Sequence, residues 1–153
     1  MDPETEREIW RRVRQNDRLN AEEILLPEKL EESIQERQML TDLLVRTAQS
    51  LSKGERTALL RISAQLRSGI RELTTLHYLL TGRRLKLPPG QLPPKAPIRE
   101  ELRALYFRLR RAAKNSDLLS KDFSEYEKEF REDAQVLRRA ERTIAGILKG
   151  KLR

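Results

Sequence analysis

The sequence predicts an all-α protein made of long amphipathic helices. Over four long segments its apolar residues recur with the 3.6-residue period of an α-helix, and they do not alternate as in a strand. Glycine occurs only 6 times, and most of the 7 prolines fall in the single stretch 88–97. Aromatic residues, which favour sheets, make up only 5% of the chain. With 153 residues and 37% apolar content, we expect one domain whose slender helices expose much of their surface.

Several classes of function are excluded by composition. The chain has no cysteine, so disulfides, thiol catalysis and thiolate metal sites are ruled out. It has no run of about 18 apolar residues and its first residues are acidic, so we expect a cytoplasmic protein that neither spans nor enters a membrane. Phosphate-binding glycine loops, serine-nucleophile motifs and zinc-ligand spacings are also missing, so the sequence predicts no enzyme and no cofactor.

The first segment, residues 1–26, reads as a separate docking helix with a connector. Asp2 is a good N-cap and Pro3 a good first helical residue. We expect the helix to end near Asn16, because only three apolar residues form a stripe on it: Ile9, Trp10 and Val13. A helix this short needs a surface to pack against. Trp10 could equally cover its own bundle or anchor a partner chain.

Residues 27–150 are predicted to form four longer helices. Pro27 opens the first of them. Ser52 and Glu55 have the spacing of a capping box, which predicts a tight connection to a second, antiparallel helix. Gly82 stands where a C-cap glycine belongs.

Residues 83–97 are rich in proline and cannot be helical. Fully extended, these 15 residues reach about 45 Å, whereas a 27-residue helix is about 40 Å long. The segment can therefore run the length of a bundle as a crossover strap, leaving the third helix, from near Ile98, parallel to the second. A turn at 120–124 would start the fourth helix, which ends at the basic tail 149–153. The expected architecture is two antiparallel hairpins joined by one long crossover.

Two segments carry a resemblance to a known family. The sequences LHYLLTGRR at 76–84 and ELRALYFRLRRAA at 101–113 resemble the rubrerythrin-like proteins of the ferritin-like superfamily, over roughly residues 28–150. The resemblance implies a ferritin-like four-helix bundle. Active members hold two metal ions, and each half supplies a Glu from one helix and a Glu-x-x-His from the next.

The chain departs from that metal-binding pattern. It has one histidine, His77, and Thr74 stands three residues before it. The resemblance places apolar residues or glycine where ligands are expected: Leu66, Gly69, Leu109, Ala134 and Leu137. Only Glu36 keeps a counterpart, and Asp133 is a second weak remnant. Both residues can instead be interpreted as partners of arginines, Asp133 across the bundle.

Two further features have competing interpretations. His77 lies beside the core face of its helix and could be a general base or metal ligand, although a packed structural histidine is preferred. The net charge is +8, and one stretch is strongly basic with two aromatics among its cations: Arg103, Tyr106, Phe107, Arg108, Arg110, Arg111 and Lys114. This stretch could bind nucleic acid. We prefer a solvated helical face with Tyr106 at the edge of the core.

Together these features predict a metal-free, degenerate ferritin-like bundle that acts as a non-catalytic structural or interaction protein. Its partner would be a second copy of the chain or another protein. Two alternatives stay open. One is a ferritin-like metal-binding protein with a carboxylate-only site at Glu36 and Asp133. The other is a basic helical module that binds nucleic acid.

Overall fold

The computed structural model describes residues 2–87 and 90–150, without the side chains of residues 10 and 12–24. The described part of the chain is helical and contains no strand. Four α-helices and one 3₁₀ turn follow in order: α1 (Pro3–Ala48), α2 (Lys53–Thr81), α3 (Ile98–Asp122), the 3₁₀ turn (Ser124–Tyr126) and α4 (Glu127–Leu148). The prediction of an all-α protein is confirmed.

The helices pack as two antiparallel hairpins, α1 with α2 and α3 with α4. Across the bundle, α1 also contacts α3, and α2 contacts α4. Near the end of α1, Arg46 donates to the carboxylate of Glu101 in the first turn of α3, at 3.1 Å. Earlier in α1, Arg37 donates to Ser116, which is later in α3, so α1 and α3 run in opposite directions. It follows that α3 is parallel to α2, and the strap carries the chain back along the whole bundle.

The strap follows the length of the bundle. Leu85 and Leu87 pack at one end of the core, and Leu92 packs at the other. Its far end is held by Arg46, which donates to the backbone carbonyl of Pro93 at 2.7 Å. Glu101 accepts from the backbone N–H of Ala96 at 3.1 Å. A proline-rich segment can serve here because it makes few backbone hydrogen bonds of its own.

The apolar core is divided into two clusters along the bundle axis. The upper cluster surrounds the α1–α2 turn and takes apolar residues from all four helices, among them Leu44, Leu59, Leu105, Leu109, Ala140 and Ile144. The lower cluster lies at the opposite end and is smaller: Leu26, Leu30, Ile34, Leu73, Leu119, Phe123 and Phe130. Between the two clusters lies a polar layer.

The prediction of a separate first helix is wrong. The structure has neither an end near Asn16 nor a new start at Pro27, because α1 runs unbroken from Pro3 to Ala48 with Pro27 inside it. Proline removes one backbone hydrogen bond, at a typical cost of about 3 kcal/mol in a helix interior. Leu26 and Leu30 flank Pro27 and are both buried in the lower cluster, so packing on either side holds the helix together there.

The predicted ends of the later helices agree with the structure, with two local differences. Gly82 is the C-cap of α2 in the left-handed conformation at φ 69°, and α3 begins at Ile98. Ser52 is the N-cap of α2, but its hydroxyl donates to the Glu55 carboxylate at 2.8 Å and makes no side-chain bond to the backbone. The fourth helix begins at Glu127, after the 3₁₀ turn.

Candidate functional site: a buried ion-pair layer at the bundle centre

The polar layer between the two apolar clusters is centred on Arg37 of α1. Arg37 is only 1% exposed, and it is among the largest fully buried side chains of the described residues. It lies on the inward-facing side of α1, three residues after the buried Ile34 and seven residues before the buried Leu44. A guanidinium stays charged in a protein, so this residue places a cation in the middle of the core.

Asp133 of α4 is the main partner of that cation. Arg37 Nε donates to both carboxylate oxygens of Asp133 at 3.1 Å, and Arg37 Nη2 donates to Oδ2 at 2.7 Å. Asp133 is 7% exposed. The pair is therefore a forked, charge-assisted contact shielded from water, the geometry in which arginine binds carboxylate most strongly.

Two further side chains complete the polar layer. Ser116 of α3 is fully buried; it accepts from Arg37 Nη2 at 2.8 Å and donates to Asp133 Oδ2. Glu36, whose side chain is 35% exposed, accepts from Arg37 Nη1 at 2.8 Å. Burial works to lower the pKa of Arg37, but Asp133 and Glu36 outweigh it, so the pKa is raised above its ordinary value. The guanidinium thus holds together side chains from α1, α3 and α4.

The remaining helix, α2, meets this layer at Gly69. A Cβ atom added at Gly69 would lie 3.9 Å from Asp133 Oδ1, which is ordinary van der Waals distance. Gly69 and Asp133 both line a groove between α2 and α4, with a volume of about 330 Å³. The other groove-lining residues include Glu72, Glu129, Glu132 and Arg139.

The two acidic residues singled out from the sequence therefore meet the same arginine. Asp133 has the cross-bundle arginine partner that one of its two interpretations required, and Glu36 pairs with its sequence neighbour. Sequence reasoning missed Arg37 itself. Its signal was present, because Arg37 continues the spacing of Leu30, Ile34, Leu44 and Ala48, and that spacing marks the buried face of α1.

His77 lies outside this layer, near the lower cluster. It is 3% exposed, and its Nε2 is 3.1 Å from the carboxylate of Glu31 on α1. Its Nδ1 atom is buried without a hydrogen-bond partner. The packed environment agrees with a structural histidine. Glu31 could not be anticipated from helical spacing, because the two residues belong to different helices.

The remaining candidate residues lie on the surface, at the edge of the core, or outside the part of the chain that the structure describes. Ile9 is 48% exposed, whereas the side chains of Trp10 and Val13 lie outside the described residues. Tyr106 is partly buried against the upper cluster, and Phe107 is 61% exposed. The cations of the basic stretch are all exposed: Arg103, Arg108, Arg110, Arg111 and Lys114.

Positions where the family resemblance would place metal ligands carry buried apolar side chains: Leu66, Leu109, Ala134 and Leu137. Among the residues that the structure describes, no three His, Cys, Asp or Glu side chains converge in a way that could hold a metal ion. Within the same residues, no helix is long and apolar enough to cross a membrane. Comparison with known protein families, with curated proteins and with solved structures finds no match.

Proposed function

We propose that this chain is a non-catalytic, metal-free bundle of the ferritin-like type that acts as a structural or interaction protein. One observation carries the proposal: the guanidinium of Arg37 lies at the bundle centre and is bound by Asp133, Ser116 and Glu36. An internal cation of the chain's own thus takes the position that a metal ion would need.

The chemistry of the layer supports this proposal in two ways. Asp133 already accepts bonds from Arg37 and Ser116 on its two oxygens, so a metal ion would have to displace them. A metal ion would also meet the charge of Arg37 in a region of low dielectric, where repulsion between like charges is strong. Glu36 alone, one partly exposed carboxylate, offers too few ligands for a tight site.

The arrangement does have a structural use. Burying a salt bridge adds little to stability on average, because desolvation offsets the attraction between the charges. Buried polar contacts can instead fix which surfaces meet and in what register. Arg37 and Asp133 belong to different hairpins, so their pairing fixes how the two hairpins dock.

The direct test is metal analysis of protein purified without chelator, on the wild type and on the double variant Glu36→Gln/Asp133→Asn. We expect no stoichiometric iron or manganese in the wild type, also after incubation with either ion. Tightly bound metal in the wild type that is lost in the double variant would overturn the proposal in favour of the carboxylate-only site.

The interaction role is proposed to involve the first half of α1. Residues 3–25 precede the lower cluster and correspond to about 35 Å of helix. The described side chains of residues 2–9 and 11 are exposed, Ile9 among them. The partner we propose is a second copy of the chain, contacting Ile9, Trp10 and Val13.

Sedimentation velocity over a range of concentrations tests this self-association. We expect a dimer for the wild type and a monomer for the variant Ile9→Asp/Trp10→Asp. Leu79→Asp is the control, since Leu79 is 74% exposed at the end of α2. A wild type that stays monomeric throughout would refute the second-copy partner.

A further inference from the structure

The solvent-facing side of α3 carries a straight row of cations and apolar side chains. Six residues are spaced at i, i+4, i+7, i+11, i+15 and i+18. Because successive residues of an α-helix are rotated by about 100°, these six fall within about 80° of the helix circumference. We name this row the α3 stripe: Arg103, Phe107, Arg110, Lys114, Leu118 and Lys121. All six are exposed, and the row is about 27 Å long at 1.5 Å per residue.

The central part of the stripe has no acidic neighbour along α3. Residues 102–116 contain no Asp or Glu. Two acids elsewhere on α3 are engaged, since Glu101 is buried against Arg46 and Asp117 binds Arg138 of α4. The other two, Glu100 and Asp122, are exposed at the two ends of the stripe. The stripe therefore presents a positive potential to solvent from Arg103 to Lys114, and Arg111, also exposed, extends this region on one side.

An exposed aromatic ring lies inside this positive row. Phe107 is 61% exposed, yet Tyr106 holds its ring in a T-shaped contact with centroids 5.3 Å apart and planes at 77°. Tyr106 is itself packed against the upper cluster. A partly fixed ring with open surface, flanked by cations one helical turn away on either side, is suited to stack against a planar base while the cations bind phosphates.

We propose that the α3 stripe binds single-stranded nucleic acid, with Arg103, Arg110 and Lys114 contacting the phosphodiester backbone and Phe107 stacking on a base. This proposal goes beyond the self-association proposed above and concerns a different surface. It is independent of what fills the bundle centre and of any contact made by residues 3–25.

Single strands fit the surface better than the other polyanions. In a duplex the base faces are already stacked, so Phe107 would have nothing to contact. An anionic membrane also attracts cations, but a helix binds at its surface by burying a broad apolar face. The apolar face of α3 is buried in the bundle, and the large apolar side chains that α3 exposes are Phe107 and Leu118.

Fluorescence anisotropy with a labelled 20-nucleotide single strand of mixed sequence tests the proposal on the full chain. The test variant is Arg103→Gln/Arg110→Gln/Lys114→Gln. We expect its affinity at low salt to fall about tenfold or more. The slope of log K against log [salt] should become shallower by about 2, because three phosphate contacts are lost.

The matched control is Arg61→Gln/Arg67→Gln/Arg71→Gln on α2, which removes the same charge from exposed positions. Arg67 and Arg71 line a groove together with the acids Glu32, Glu36 and Asp42, so their potential is partly cancelled. We expect this control to keep most of the affinity. An equal loss in both triple variants would mean that only net charge matters, and would overturn the α3 stripe as a site.

Phe107→Ala separates stacking from charge, since it leaves every cation in place. We expect about a tenfold loss for the single strand, from the lost base contact, and little change for a duplex of the same sequence, which should bind more weakly in any case. Three results would overturn the proposal: equal affinity for duplex and single strand with no effect of Phe107→Ala, binding to vesicles with anionic lipid but not to the oligonucleotide, or no binding at low salt. None of these results would change the outcome of the metal analysis.

Discussion

The upper apolar cluster joins all four helices and the central polar layer joins three of them, by different means. In the upper cluster every helix contributes several leucines, isoleucines or alanines, and the contacts have no fixed direction. In the polar layer a single guanidinium meets particular oxygen atoms on α3 and α4. We therefore expect the cluster to supply most of the stability and the polar layer to select one register. Losing one partner in the polar layer should accordingly cost more than losing one leucine.

Asp133→Ala should produce the largest loss in the molecule. It leaves the buried guanidinium of Arg37 with Ser116 and the partly exposed Glu36, and an uncompensated buried charge typically costs about 3–5 kcal/mol. Denaturant unfolding followed by circular dichroism measures the loss. The control is Asp117→Ala, which breaks the exposed ion pair to Arg138 between α3 and α4 and should cost no more than about 1 kcal/mol. Similar losses in the two variants would contradict the special role of the polar layer.

Replacing both partners tests whether the polar layer serves register more than stability. In the double variant Arg37→Met/Asp133→Leu no buried charge is left unpaired, although the buried Ser116 hydroxyl loses both of its partners. We therefore expect a loss of no more than about 1–2 kcal/mol relative to the wild type. The same unfolding measurement decides this. A double variant as unstable as Asp133→Ala would show that the ion pair itself contributes the free energy.

Leu109→Ala probes the upper cluster for comparison. Leu109 is fully buried, and its truncation should lower the free energy of unfolding by about 2–5 kcal/mol through lost burial and a residual cavity. Leu79→Ala at the exposed end of α2 should change it by less than about 0.5 kcal/mol. If Leu109→Ala were as mild as the control, the packing described for α3 would be wrong.

Ser116→Ala removes one hydroxyl from the polar layer while keeping both charges. The hydroxyl bonds Arg37 and Asp133, so its loss should cost about 1–2 kcal/mol. Ser120→Ala serves as the comparison, because the Ser120 hydroxyl donates only to the carbonyl of Asp117 in its own helix. We expect a smaller change there, and the reverse order would argue against the three-helix network.

Gly69→Ala should change the free energy of unfolding least, and it should raise it where the other variants lower it. The new methyl group would lie at ordinary contact distance from Asp133, and alanine is a better helix former than glycine by roughly 0.8–1.0 kcal/mol. Thermal unfolding should therefore show a modest gain. A clear loss would mean that the polar layer needs the open groove above Asp133.

Much of the fold follows from local rules that the sequence displays. Ser52, Gly82 and the proline-rich strap end and begin helices through their own backbone chemistry, so their positions could be predicted. The same local rule predicted a helix start at Pro27, and that prediction was wrong. The burial of Leu26 and Leu30 keeps α1 helical across Pro27. Tertiary contact overrides local preference where buried residues flank the breaker on both sides.

The candidate site was predictable only in part, for a related reason. Asp133 could be placed on the inward line of α4, and an arginine partner could be expected across the bundle. Which arginine it would be could not be chosen among 23, because the pairing joins residues 96 positions apart. Glu31 escaped notice as the partner of His77 for the same reason, since they are 46 positions apart.

That long separation also has a consequence for the order of folding. The α1–α2 and α3–α4 hairpins are each built from contacts between consecutive helices, which form quickly because little chain must be closed into a loop. Arg37 can find Asp133 only after the strap has brought the second hairpin back along the first. We expect the guanidinium to lose its water late, as the last step that commits two preformed hairpins to one arrangement.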